Sequence, residues 1–281
     1  MIENYDVMPV ESPQQDRRQD YCPRALLVYS LLFGLFATAA VLLPASEDKR
    51  VLIFSAIAGA LTATYVVFIL SAMPDDLKSL EWLVLPGAAI DVICHLLVIR
   101  YTAVGGARPE VITADNTGGA VILALLGVAN LGMLGVAVGS GLLLAKGLRS
   151  LSYLLVAAIA SALADTISVA AGPTKHIMAL DVAAYISLQW GVIGLGGVTQ
   201  IVGMGDFIFL TLFFTGARKF GWNDTKTLLA MSAALMAGFL AMLVPETLPA
   251  LPALPFMTVA LLAAHATDIR RGLPATRPAN D

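Results

Sequence analysis

The chain has 281 residues, 58% of them hydrophobic and 13% charged, with a mean hydropathy of +0.81. Soluble domains carry about a quarter charged residues, so this composition describes an integral multi-pass membrane protein in contact with the lipid bilayer. The net charge of −3 offers no basic field for nucleic acid, and the two cysteines, Cys22 and Cys94, are too few for a disulfide framework.

Residues 1–24 form a polar tail of mixed charge. They hold no short apolar core followed by a small-residue cleavage site, so the first apolar run is expected to act as an uncleaved signal anchor. Uncharged runs of roughly 17–25 residues mark spanning helices. Eight are predicted, at 25–44, 51–73, 82–100, 118–145, 151–171, 195–217, 227–245 and 250–267. The fourth is long and rich in glycine (GVANLGMLGVAVGSG), as expected of a tilted helix packed through small residues. The predicted fold is therefore an all-α transmembrane bundle. Its parts are the tail 1–24, N-terminal helices 25–150, a second helical group 151–267 and a polar tail 268–281. On this scheme Lys49, Arg50, Arg100, Arg108 and Lys175 lie on one side of the membrane. The remaining twelve of the 17 Lys and Arg lie on the other, which puts both termini in the cytoplasm.

Three acids fall inside predicted spans, Asp91, Asp165 and Asp206, and no Lys or Arg does except Arg100 at the very edge of the third. A charge near the bilayer centre costs about 2.5–3.5 kcal/mol even on lenient insertion scales, so such a group faces a cavity or a partner. Without a cation, the partner is water, a proton or another carboxylate. Asp165 sits six residues before the end of its span, roughly 9 Å deep at 1.5 Å per residue. Asp206 sits about eleven residues into the antiparallel span that follows, roughly 16 Å deep from the same face. The two depths are compatible, and carboxylates that meet hold a proton between them because both cannot ionise in close contact. The bland alternative is that each is a structural hydrogen-bonding group. Asp91 and His95, at i and i+4, share one helix face; they either satisfy each other or relay protons in a transporter.

Other features carry less chemistry. GVIGLGGVTQIVGMG follows no strand pattern and holds no lysine, so close helix approach explains it better than phosphate binding. No Cys/His spacing suggests a metal, no cofactor is implied, and no Ser/His/Asp set has matching depths.

Three segments resemble a known family. GMGD at 203–206 matches the Gly-x-Gly-Asp motif of the presenilin and signal peptide peptidase family of intramembrane aspartyl proteases. ADTISV…TKHIM at 164–178 resembles the family's first-aspartate segment, especially that of archaeal presenilin homologues. PALP at 249–252 and again at 252–255 resembles the third motif, which opens the last span. The motifs occur in the family's order over residues 151–267. The resemblance implies Asp165 and Asp206 as the catalytic pair and a prokaryotic cell membrane as the location. It also implies transmembrane or signal-peptide-like helices as substrates. Gly203 and Gly205 would let the substrate backbone approach. Pro252 would keep a non-helical stretch beside the site, with Ala253, Leu254 and Pro255 meeting an extended substrate.

The chain departs from the family in four ways. Ala164 stands where the family usually has tyrosine before the first aspartate. AAGP at 170–173 splits the Ser-Val run from Thr174-Lys175-His176. The loop from 172 to 194 is too short for the segment that presenilin cleaves in itself. The eight predicted spans fall short of the family's nine. Prepilin peptidases also use Gly-x-Gly-Asp, but a lysine commonly follows there, whereas this chain reads DFIFL. A proton-coupled transporter and an inactive protease-like scaffold remain the readings from other classes.

Overall fold

A computed structural model describes residues 61–72, 77–105, 117–171, 189–194, 197–243 and 252–272. These residues form eight helices and one two-stranded hairpin. Helix α1 spans Leu61–Leu70, α2 Leu77–Gly105, α3 Thr117–Lys146 and α4 Leu151–Ala171. Strands β1 (Gln189–Gly194) and β2 (Gly197–Gly203) follow. Then come α5 (Met204–Lys219), α6 (Asp224–Leu243), α7 (Ala253–Ala264) and the short α8 (Ala266–Gly272). The predicted span at 25–44, Thr174-Lys175-His176 and most of the first PALP copy lie outside the described residues.

The described residues are helical apart from this hairpin, which departs from the span expected at 195–217. Residues 197–203, assigned above to a spanning helix, pair antiparallel with β1 in a register running from Gln189 opposite Gly203 to Gly194 opposite Gly197. The local sequence explains it: Val198, Thr199, Ile201 and Val202 are β-branched, and glycines flank them. Helix α5 begins only at Met204, where the β-branched run has ended. The first residues of the polar C-terminal tail, Asp268–Gly272, are helical within α8.

Helix ends follow local rules. At the end of α5, Gly221 has φ +71; the Trp222 N–H donates to Ala217 O at 2.8 Å and the Gly221 N–H to Arg218 O at 3.1 Å. This double closure needs a left-handed residue, which glycine supplies without strain. Asn223 then starts α6 by accepting the Lys226 N–H at 2.9 Å on its side-chain oxygen.

Packing relies on small residues, as the glycine-rich α3 leads one to expect. A Cβ on Gly132 would stand 2.5 Å from the Gly87 carbonyl oxygen of α2, and one on Gly141 would stand 2.5 Å from the Thr211 Cβ of α5. Backbones therefore touch at both crossings. The core gathers Met133, Leu134 and Leu142 of α3, Leu154 of α4, Phe207, Phe213 and Phe214 of α5, Met231 of α6 and Met257 of α7.

Two described helices are long and apolar enough to cross a membrane: α4, and Ala124–Lys146 within α3. They differ in surroundings. The α3 segment is mostly buried by its neighbours, whereas α4 leaves Tyr153, Val156, Ile159, Leu163 and Ile167 half or more exposed. A helix this apolar and this uncovered is unlike the buried core helix of a soluble protein.

Candidate active site

The third-last residue of β2, Ile201, belongs to a strand that runs directly into α5, and this strand-to-helix junction is where the GMGD motif lies. Asp206 is the third residue of α5, so its side chain can reach back over the first turn. Its Oδ2 accepts the Gly203 N–H at 3.1 Å, half of a capping box, since glycine has no side chain to return the bond. Gly203 itself is extended (φ −70, ψ 149).

Asp165 lies two turns from the end of α4 and is half-buried. Its Oδ2 accepts the Leu254 N–H of α7 at 3.1 Å. The geometry follows from the proline before it. Pro252 is extended (φ −66, ψ 121) and has no side-chain cap to offer, so the first amides of α7 need an acceptor from elsewhere. Asp165 provides one across the helix interface. A second bond fixes the same crossing: the Thr258 hydroxyl donates to Ala158 O at 3.0 Å, two turns back along α4. Pro255 sits in the first turn of α7, where its missing N–H leaves no gap in the helix ladder.

These two constructions converge. Helices α4, α5 and α7 pack on one another, so both acids belong to one helix cluster. Each acid is held by one backbone amide at a helix N-terminus, an environment that favours an anionic oxygen. Among the described residues, the second oxygen of each makes no hydrogen bond. The arrangement can therefore bind a proton or a water on its open oxygens.

The remaining predicted residues sort clearly. Gly205 is exposed, and a Cβ there would meet nothing within 4 Å; no contact within the described chain calls for glycine. Gly203 would bring a Cβ only to ordinary contact with Asp206, at 3.4 Å. Pro252, Ala253 and Pro255 are half-buried beside the pair. The Leu254 amide is taken by Asp165, which corrects the expectation that it stays open to a substrate strand.

Asp91 and His95 stay within α2. The Nδ1 of His95 lies 2.9 Å from the Asp91 backbone carbonyl and 3.1 Å from its Oδ1. The shorter contact takes the ring nitrogen, and the buried Oδ1 makes no hydrogen bond. Neighbouring Cys94 is a buried free thiol.

One cluster escaped sequence reading. His265, fully buried at the break between α7 and α8, stacks on Trp222 at 4.4 Å. Its Nε2 is 3.0 Å from the Thr227 hydroxyl and its Nδ1 3.1 Å from Asp268 Oδ2. The order Thr–His–Asp resembles a nucleophile relay, but Thr227 is fully buried, so no substrate reaches it. Asp268 at His265+3 was the available signal, and it marks a structural lock.

Compared with known proteins, the chain matches no family model, no curated protein and no solved structure.

Proposed function

We propose that the chain is an intramembrane aspartyl endopeptidase of the presenilin and signal peptide peptidase type, a multi-pass protein of the cell membrane. It would hydrolyse peptide bonds of membrane-spanning or signal-peptide-like helices. What supports this reading is that Asp165 holds the Leu254 amide of the second PALP copy, on helices that pack against the one carrying Asp206, with one oxygen of each acid free of hydrogen bonds among the described residues. The exposed apolar face of α4 supports the membrane setting, because lipid can cover it.

The mechanism follows from a pair of acids sharing one proton. The ionised member takes a proton from a water held between them, and the water oxygen attacks the scissile carbonyl carbon. The protonated member donates its hydrogen to the carbonyl oxygen as the tetrahedral intermediate forms. Proton return to the amide nitrogen then releases the amine. Gly205 leaves room for the substrate backbone where any side chain would project. The roles of the two acids can exchange between turnovers, and the pair titrates as one unit.

A second reading has an observation of its own. Each aspartate already has a structural task, capping a helix start, so an inactive scaffold would keep the same contacts. Cleavage of a helical reporter by the purified chain separates the two. The protease reading requires a bell-shaped pH profile, because only the singly protonated pair works. It also requires inhibition by a substrate mimic with a hydroxyl on a tetrahedral carbon, which occupies the water's place. Folded protein without cleavage at any pH points to the scaffold.

A further inference from the structure

The end of the bundle opposite the aspartates gathers cations. The α3–α4 turn carries Lys146 and Arg149, and Lys219, at the end of α5, reaches over to it, with Nζ 3.4 Å from the Ala145 carbonyl. Arg149 and Lys219 are exposed and Lys146 is half-buried. None of the three is in an ion pair among the described residues. Residues 117–164 and 207–219, which bear and flank the three cations, hold no acid. Apolar side chains stand exposed immediately beside these cations, Leu143 and Leu144 before the turn and Tyr153 and Val156 after it.

From this juxtaposition we propose that the α3–α4 turn is a binding site for the phosphate of an anionic phospholipid. Lys146, Arg149 and Lys219 hold the headgroup, and the acyl chains lie along the apolar ends of α3 and α4. The apolar border decides for a lipid over a free phosphate ion, which would gain nothing from it. The tyrosine fits the same level, since aromatic rings with a polar tip favour the headgroup region. The proposal rests on the membrane part of the reading above and is independent of proteolysis.

The test uses the full chain reconstituted into nanodiscs of phosphatidylcholine with a minority of phosphatidylglycerol. Lipids retained after mild detergent extraction are then weighed by mass spectrometry. Wild type should retain phosphatidylglycerol above its share of the mixture, and K146Q/R149Q should lose about fivefold of that preference per cation removed, the attraction expected of a surface cation for an anionic leaflet. The charge-conserving K146R/R149K should keep it, which controls for folding. Retention at the bulk ratio by wild type overturns the proposal, as does equal preference in K146Q/R149Q. Displacement of the lipid by millimolar inorganic phosphate also overturns it, in favour of a free-ion site. Protein that enters no bilayer overturns the membrane reading as well, whereas loss of reporter cleavage alone touches neither.

Discussion

The chain places acids in apolar helices at two sites, and the sites are built on different principles. Asp91 and His95 are four residues apart on α2, and their hydrogen bond closes within that helix. Asp165 and Asp206 come from α4 and α5, and each is tied to a helix start, one of them on α7. A bond closed within one helix needs no second element to form it. A pair assembled from three helices depends on their packing. The difference teaches that an acid in an apolar helix is informative about chemistry when tertiary structure, and not its own helix, supplies its partners.

The largest expected effect tests the dyad. Asp165→Asn and Asp206→Asn should each lower reporter cleavage by at least about a hundredfold, the lower range for losing a positioned acid or base. The double variant should be no worse than either single one, since the two act as a unit. Asp91→Asn should leave cleavage within about twofold by the same contrast. A variant at Asp165 or Asp206 that is folded and still cleaves well would falsify the mechanism.

Packing offers the next contrast. Gly132→Ala drives a methyl into the Gly87 carbonyl and the Asp91 amide of α2, an overpacking that costs about 1–3 kcal/mol. A lowered unfolding temperature in detergent is the expected readout, with activity per folded molecule retained. Gly205→Ala should do the reverse. Its added methyl meets nothing among the described residues, so thermal stability stays put while KM for the reporter rises. Equal loss of stability at both glycines would remove the case for a substrate at Gly205.

The smaller effects concern single hydrogen bonds. Thr258→Val keeps shape but deletes the bond to Ala158, worth about 1 kcal/mol. Because that bond fixes α7 against α4 beside Asp165, cleavage should fall along with stability. Asp91→Asn should move stability by about 1 kcal/mol or less, since the backbone carbonyl that meets His95 is untouched. A thermal melt distinguishes them: a larger loss for Asp91→Asn than for Thr258→Val would reverse the ranking of the two sites.

Much of the helical layout was legible. Helix α4 occupies 151–171 as read from its uncharged run, and α3 and α6 differ from the predicted spans by a few residues. Such runs are visible because apolar length is a local property. The hairpin was not legible in that way. An apolar stretch of β-branched residues satisfies a span criterion and a strand criterion alike, and 197–203 adopts the strand because β1 is there to pair with it. Pro86 lies inside α2 without ending it, another place where packing outweighed a local signal.

By itself the sequence determined which acids lie in apolar surroundings without a cation, since that needs only composition along the chain. It also determined where helices α3, α4 and α6 run, whereas the non-helical stretch expected after Pro252 is replaced by a helix that starts at Ala253. Only the tertiary structure decided that the Leu254 amide belongs to Asp165, because the bond joins residues 89 positions apart. It likewise decided that the GMGD motif straddles a strand and a helix, and that Lys219 meets the α3–α4 turn. The physical reason is common to all three. Apolar periodicity fixes what a segment buries, but an unsatisfied amide or carbonyl at a helix end takes its partner from whatever the packed fold brings within reach.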